Sequence, residues 1–274
     1  MSRKLQYFLP GLSQCWVIVF FIIVIGGLGA GTAMSAICSM AGIELASLNP
    51  LVSYLVPLIP ALLYIFMAKG NWETAVPLEQ TPARLGLPLY VLYPLMAFCI
   101  IAIGFITEPL SSWMPMPESI QAIYDKMLTQ TGWAFATTVV AAPVIEEFIL
   151  RGVMERGLIK QASPKAAILY SAFFFALIHL NPWQATGAFI AGLFIGWIYW
   201  RTHSLIACIF IHMTNNGVAF LSQLVFAEKG STLTYKELID TASDCLYWIV
   251  FVIFAVLLGL ALNLMQKHLP KENF

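Results

Sequence analysis

Charge is what this chain has least of. Asp, Glu, Lys and Arg make up 10% of its 274 residues, against about a quarter in an ordinary soluble domain. That is too little to cover a solvated surface, which excludes a conventional soluble globule. The 14 basic and 14 acidic residues cancel, so no net positive field is available to hold nucleic acid. Cysteine forms no useful pattern. Cys15, Cys38, Cys99, Cys208 and Cys245 are scattered and no CxxC pair occurs, which suggests neither a disulfide framework nor a thiolate metal site. The HExxH signature of a helical zinc site is missing as well. Long polar segments are also lacking. Thr107–Thr129 and Ala227–Asp244 do not read as folded soluble domains, so residues 1–274 are expected to form one integral membrane domain.

What the chain has instead is apolar length. Hydrophobic residues make up 60% of it, in several runs near 20 residues. This predicts an all-α, multi-pass transmembrane helix bundle in a lipid bilayer. Eight spans are expected, at about Cys15–Cys38, Pro50–Ala68, Leu87–Ile106, Trp133–Leu158, Lys165–Leu180, Trp183–Trp200, Ser204–Phe226 and Cys245–Met265. The first run could imitate a signal peptide, but it continues past Gly31 without a clear cleavage site and is expected to be retained. With both termini in the cytoplasm, 11 Lys and Arg residues fall on the cytoplasmic side and 3 opposite, as the positive-inside rule requires. A seven-span chain would put Lys267 and Lys271 on the wrong side. Ile120–Met127 reads as an amphipathic piece for the interface. Gly27/Gly31 and Gly192/Gly196 have the spacing of close helix packing, within the chain rather than between copies.

The few polar side chains in the spans gather on the fourth, fifth and seventh. Charges at such depth are costly and usually face a bundle interior or a wet cavity. Glu147 and Arg151 are i and i+4, so they share a face and can pair. Glu146 lies about 100° around the helix from Glu147, so one acid is expected to be structural and the other free for chemistry. His179 follows Phe175 by one turn. His212 and Asn216 share a face, while Asn215 is expected to point elsewhere. His203 and His268 fall at solvated ends. Each residue alone has a structural reading: an ion pair for Glu147 with Arg151, an interhelical hydrogen bond for either histidine, a proton relay or second structural acid for Glu146. Together they are the set that hydrolyses a peptide bond with water. A carboxylate moves the proton, and an imidazole with an amide stabilises an oxyanion. Glu146, His179 and His212 could alternatively hold zinc or another divalent metal with an open position for water.

EEFILR (Glu146–Arg151) resembles the EExxxR motif of the CAAX-protease and bacteriocin-processing family, also called the Abi family. FALIH (Phe175–His179) resembles its FxxxH motif, and HMTNN, through His212 and Asn216, its HxxxN/D motif. The three occur in the family's order over about Val139–Val218, inside a motif-bearing region of about 130–226. The family includes type II prenyl-protein endopeptidases and members with immunity, regulatory or unknown roles. The resemblance implies an intramembrane protease whose Glu146 acts on water with His179. It implies that His212 and Asn216 form the oxyanion site, and that Glu147, Arg151 and Phe175 support the geometry. It implies no catalytic metal. The expected partner is a membrane-associated peptide or protein, prenylated or not, and the expected location is the cytoplasmic membrane of a prokaryote. A non-proteolytic immunity factor or scaffold on the same fold, or a proton-coupled transporter, are the other readings. The transporter would show an inverted repeat, which the sequence does not display. On straight helices His179 lies about 21 Å from Lys165 and Glu146 about 15 Å from Arg156. A tilted fifth helix would bring them level in a site open to the cytoplasm or laterally.

Overall fold

The computed structural model describes residues 8–68, 85–112, 116–118, 121–122, 125, 129–225, 234–239 and 244–270. Eight long helices hold most of them: α1 Leu12–Met40, α2 Pro50–Met67, α3 Leu89–Ser111, α4 Thr131–Ile159, α5 Pro164–Ile178, α6 Pro182–Thr202, α7 Leu205–Val225 and α8 Asp244–His268. No strand occurs among the described residues. The protein is an all-α, multi-pass integral membrane bundle. Six helices (all except α5 and α6) are long and apolar enough to cross a membrane. α5 has 15 residues, about 22 Å at helical rise, short of a hydrocarbon core of about 30 Å. Most of the expected Ile120–Met127 piece lies outside the described residues.

Three helices start in the same way. Asn49, Ser163 and Asn181 each precede a proline at the first helical position, and each side chain accepts a backbone N–H of the first turn. The cap satisfies a donor that the helix cannot, and the proline lacks the N–H that would be orphaned there. The turns after α5 and α6 close through Leu180 and His203, with φ of 54° and 52°.

Among the described residues the apolar side chains form two large cores and a small cluster of Ala134, Val139 and Phe220. One joins α1, α2, α4 and α5 through residues such as Ile18, Leu58, Ile149, Met154 and Phe174. The other joins α3, α6, α7 and α8 through Leu92, Met96, Ile195, Ile211 and Met265. Outside them the bundle stays apolar: Val252, Val256 and Leu260 on α8 are 58%, 56% and 60% exposed, the surface a bilayer covers.

One end of the bundle gathers Pro10, Gly157, Lys160, Arg201 and the end of α8. Arg201 donates to carbonyl oxygens of Gln266, Leu269 and Pro270 and to the Gln266 side chain. It is therefore a buried cap on the last turn of α8 rather than a loop charge, a favourable place for a cation. The small-residue expectation holds for one pair and moves for the other. A Cβ on Gly192 or Gly196 would press on Ala172 or Glu155, within 3.0 Å and 2.8 Å, so both pack inside the chain. Gly27 and Gly31 meet only their own helix, and it is Gly26 that crosses α2, against the Pro57 carbonyl.

Candidate active site

The site lies in the seam between the two cores, and α4 is its spine. Pro143 offers no N–H to the turn before it, and that turn, Ala136–Ala141, is π-helical. A second π-helical stretch, Phe148–Glu155, follows. Glu146 and Glu147 sit between the two.

Glu147 and Arg151 pair as expected, Oε1 to Nη1 at 2.9 Å, both fully buried. Arg151 Nη2 donates to the Gly192 carbonyl at 2.9 Å, which ties α4 to α6. Its Nε lies 3.7 Å from Oε2 of Glu155, also fully buried. The guanidinium stands 5.1 Å over the ring of Phe175. That ring meets His179 and His212 edge-on at 5.0 and 5.2 Å. Phe175 therefore packs against the cation and both imidazoles at once.

Hydrogen-bond chemistry orients the two histidines. His179 caps α5, and its Nδ1 lies 2.7 Å from the Phe175 carbonyl. A carbonyl only accepts, so Nδ1 carries the proton and Nε2 is left for other partners. The Asn181 side chain donates to the His179 carbonyl at 3.0 Å and holds the turn. His212 Nδ1 lies 2.9 Å from Glu147 Oε1, which leaves Nε2 facing Glu146 Oε2 at 3.9 Å. Glu146 accepts a second contact, from Tyr54 Oη on α2 at 2.9 Å. Asn216 is pinned at both ends of its amide. Oδ1 accepts from Asn215 at 3.2 Å and Nδ2 donates to the Thr138 carbonyl at 2.9 Å. A primary amide has two N–H groups, so one remains.

A cavity of about 310 Å³ borders this cluster, at the small end of ligand pockets. His179, His212, Asn216 and Phe175 are in its wall, with Thr138 and Gln223. Asn215 is there too, contrary to the expectation that it points away. Glu146 is not in that wall; it meets the wall through His212. No hydrogen bond or ion pair joins it to His179 among the described residues. The cavity runs from His212 along α7 to Gln223, away from the Arg- and Lys-rich end rather than toward it.

Two further residues of the cluster were not singled out from the sequence. Glu155 had a legible signal, since Glu147, Arg151 and Glu155 repeat at i, i+4 and i+8 on an apolar helix. Tyr54 had none, because it acts across helices distant in sequence. No group of three His, Cys, Asp or Glu side chains is placed to hold a metal ion among the described residues.

Buried acids, an arginine and two histidines gather inside an apolar bundle, and ionisable groups at such depth mark a functional site. A family model described as type II CAAX prenyl endopeptidase, Rce1-like, matches residues 128–218, a segment that contains all three motifs. Over that segment the chain is similar to the type II CAAX prenyl endopeptidases that the model describes. No curated protein and no solved structure matches it.

Proposed function

We propose that the protein is an intramembrane endopeptidase that hydrolyses a peptide bond near the membrane with activated water. The observation that carries this reading is the convergence of His179, His212 and Asn216 on one cavity, with Glu146 held against His212. In this reading the attacking water binds between His179 and His212, which share the cavity wall. Glu146, with His179, takes its proton as it attacks the carbonyl and returns one to the leaving amine. The free N–H of Asn216 and, in the doubly protonated ring, His212 Nε2–H donate to the oxyanion. Glu147 and Arg151 hold the histidine and the helices in place. Every step in this reading is assigned to side chains, and zinc on Glu146, His179 and His212 is the alternative. The bundle crosses the membrane eight times with both termini cytoplasmic, which matches the Lys and Arg distribution.

One observation favours a second reading. Glu146 lies off the cavity wall with its carboxylate engaged by Tyr54, as a structural acid in a non-proteolytic scaffold would. Cleavage of a quenched, prenylated C-terminal peptide by purified protein in detergent separates the two. Hydrolysis lost in Glu146→Ala and His179→Ala and unaffected by a strong chelator supports the proposal. Loss on chelation restored by zinc assigns Glu146, His179 and His212 to a metal. Biological activity that survives Glu146→Gln selects the scaffold.

A further inference from the structure

We propose that Glu155 is a positioning residue of the candidate active site: its carboxylate sets the plane of the Arg151 guanidinium, and through that plane the two histidines. The inference rests on the protease reading for its effect on cleavage and on geometry alone for its effect on position.

Position 155 is shaped to hold a carboxylate. Glu155 lies on α4, four residues after Arg151, and is fully buried. Three helices meet around it. From α5 the hydroxyl of Ser171 faces it, and Ser171 is fully buried too. From α6 comes Gly196, whose missing side chain leaves the carboxylate its room: an added Cβ would stand 2.8 Å from Oε2 and 3.3 Å from Oε1. From α4 itself, Arg151 Nε lies 3.7 Å from Oε2. Neither carboxylate oxygen has a hydrogen-bond partner among the described residues. Arg151 is already matched by Glu147, which accepts from Nη1 at 2.9 Å. Glu155 adds a second negative charge against the one guanidinium, and a buried charge of that kind costs stability rather than adding it. An ionisable group kept at such depth calls for a functional reason.

The third side of the guanidinium supplies that reason. Nη1 is held by Glu147 and Nη2 by the Gly192 carbonyl. Two anchors on a planar group still allow it to rock about the line that joins them, and an attraction at Nε opposes that motion. Both the face and the edge of the plane lead to the histidines. The face stands 5.1 Å from the centre of the Phe175 ring, and that ring meets His179 and His212 edge-on. The edge shares Glu147 Oε1 with His212 Nδ1, each at 2.9 Å. A guanidinium that rocks disturbs the packing of one imidazole and both the packing and the hydrogen bond of the other. Glu155 is not among the residues that line the cavity, so its effect on the chemistry passes through Arg151.

Glu155→Gln keeps the shape of the side chain and removes its charge. In the peptide assay its kcat is expected to fall by up to about 100-fold, the effect of a misplacement of about 1 Å at a reacting group, with KM unchanged. Its Tm in detergent is expected to be equal or higher, because one buried charge is gone and the Glu147–Arg151 pair is intact. Glu155→Asp keeps the charge and is expected to recover part of the kcat. Position is read without activity from the imidazole 15N resonances of histidine-labelled protein, with His212 assigned through His212→Gln. The His212 resonances are expected to move in Glu155→Gln, and those of His268, at the end of α8, to stay in place. Unmoved His212 resonances overturn the proposal. So does a kcat equal to that of the wild type in Glu155→Gln, or an Asp variant no faster than the Gln variant. A kcat and a Tm that fall together with unmoved resonances make Glu155 a structural acid only, which overturns it as well. Absence of cleavage by the wild type defeats the protease reading, and the His212 resonances then decide the positioning by themselves.

Discussion

Tyr54 donates its hydroxyl proton to Glu146 at 2.9 Å, across 92 residues of chain. α2 lies outside the family-matched segment, yet it supplies a hydrogen bond to the acid that faces His212 Nε2. Tyr54 is thus a positioning residue. Tyr54→Phe keeps the ring and removes one hydrogen bond to a charged group, worth about 1.5–3 kcal/mol. If the whole of it acts in the transition state, cleavage slows by about one to two orders of magnitude. The loss is expected in kcat with KM unchanged, and steady-state kinetics on the purified variant checks it. A merely structural Tyr54 would lower thermal stability and leave kcat intact.

The helical class, the eight helices and the Glu147–Arg151 pair were legible because each depends on local periodicity. A run near 20 apolar residues in a row, or an i, i+4 spacing, carries its meaning wherever the chain goes. The His212–Asn216 face was legible for the same reason. What hid was everything set by a crossing between helices. Asn215 reaches the cavity although it is a neighbour in sequence of a residue on another face, because α7 borders the cavity broadly. Arg201 reads as a loop cation until α8 ends beside it.

Arg151 is the largest fully buried side chain, and it faces two buried acids, Glu147 and Glu155. Removing one partner of a buried pair leaves uncompensated charge and costs about 3–5 kcal/mol. Arg151→Met is expected to destabilise the protein by that order, read as a lower Tm in detergent. Arg151→Lys is expected to rescue little, because one ammonium cannot reproduce contacts made through Nη1, Nη2 and Nε. Glu147→Gln combined with Arg151→Met is expected to recover part of the loss, since the neutral pair leaves fewer buried charges.

The short helix Tyr235–Ile239 docks beside the cavity end of α3, where the Tyr235 N–H donates to Glu108. Thr234 and Glu237 cap it reciprocally, at 2.9 and 3.2 Å. Those hydrogen bonds hold the Glu237 carboxyl below its ordinary value. A depressed acid contributes stability above its unfolded pKa, about 4.3, and loses it as pH falls through the folded value. Amide exchange of residues 235–239 is expected to be steady from about pH 5 to 7, after correction for intrinsic rates, and to accelerate below about pH 4. In Glu237→Gln this acceleration is expected to vanish. Equal acceleration in wild type and variant would refute the cap as its cause.

Gly196 separates close packing from mere helix propensity. An added Cβ there would stand 2.8 Å from the Glu155 carboxylate and 3.2 Å from Ile168, so α6 must shift away from α4 and α5. Overpacking of this kind costs about 1–3 kcal/mol, and the shift pulls the Gly192 carbonyl from Arg151 one turn away. Gly259 on α8 has nothing within 4 Å of the same added atom. There the gain in helix propensity, about 1 kcal/mol relative to glycine, is unopposed. Gly196→Ala is therefore expected to lower Tm and cleavage together, and Gly259→Ala to leave cleavage unchanged and Tm equal or higher. Differential scanning fluorimetry beside the peptide assay decides it. Equal effects from the two alanines would mean that the α4–α6 contact does not hold the site.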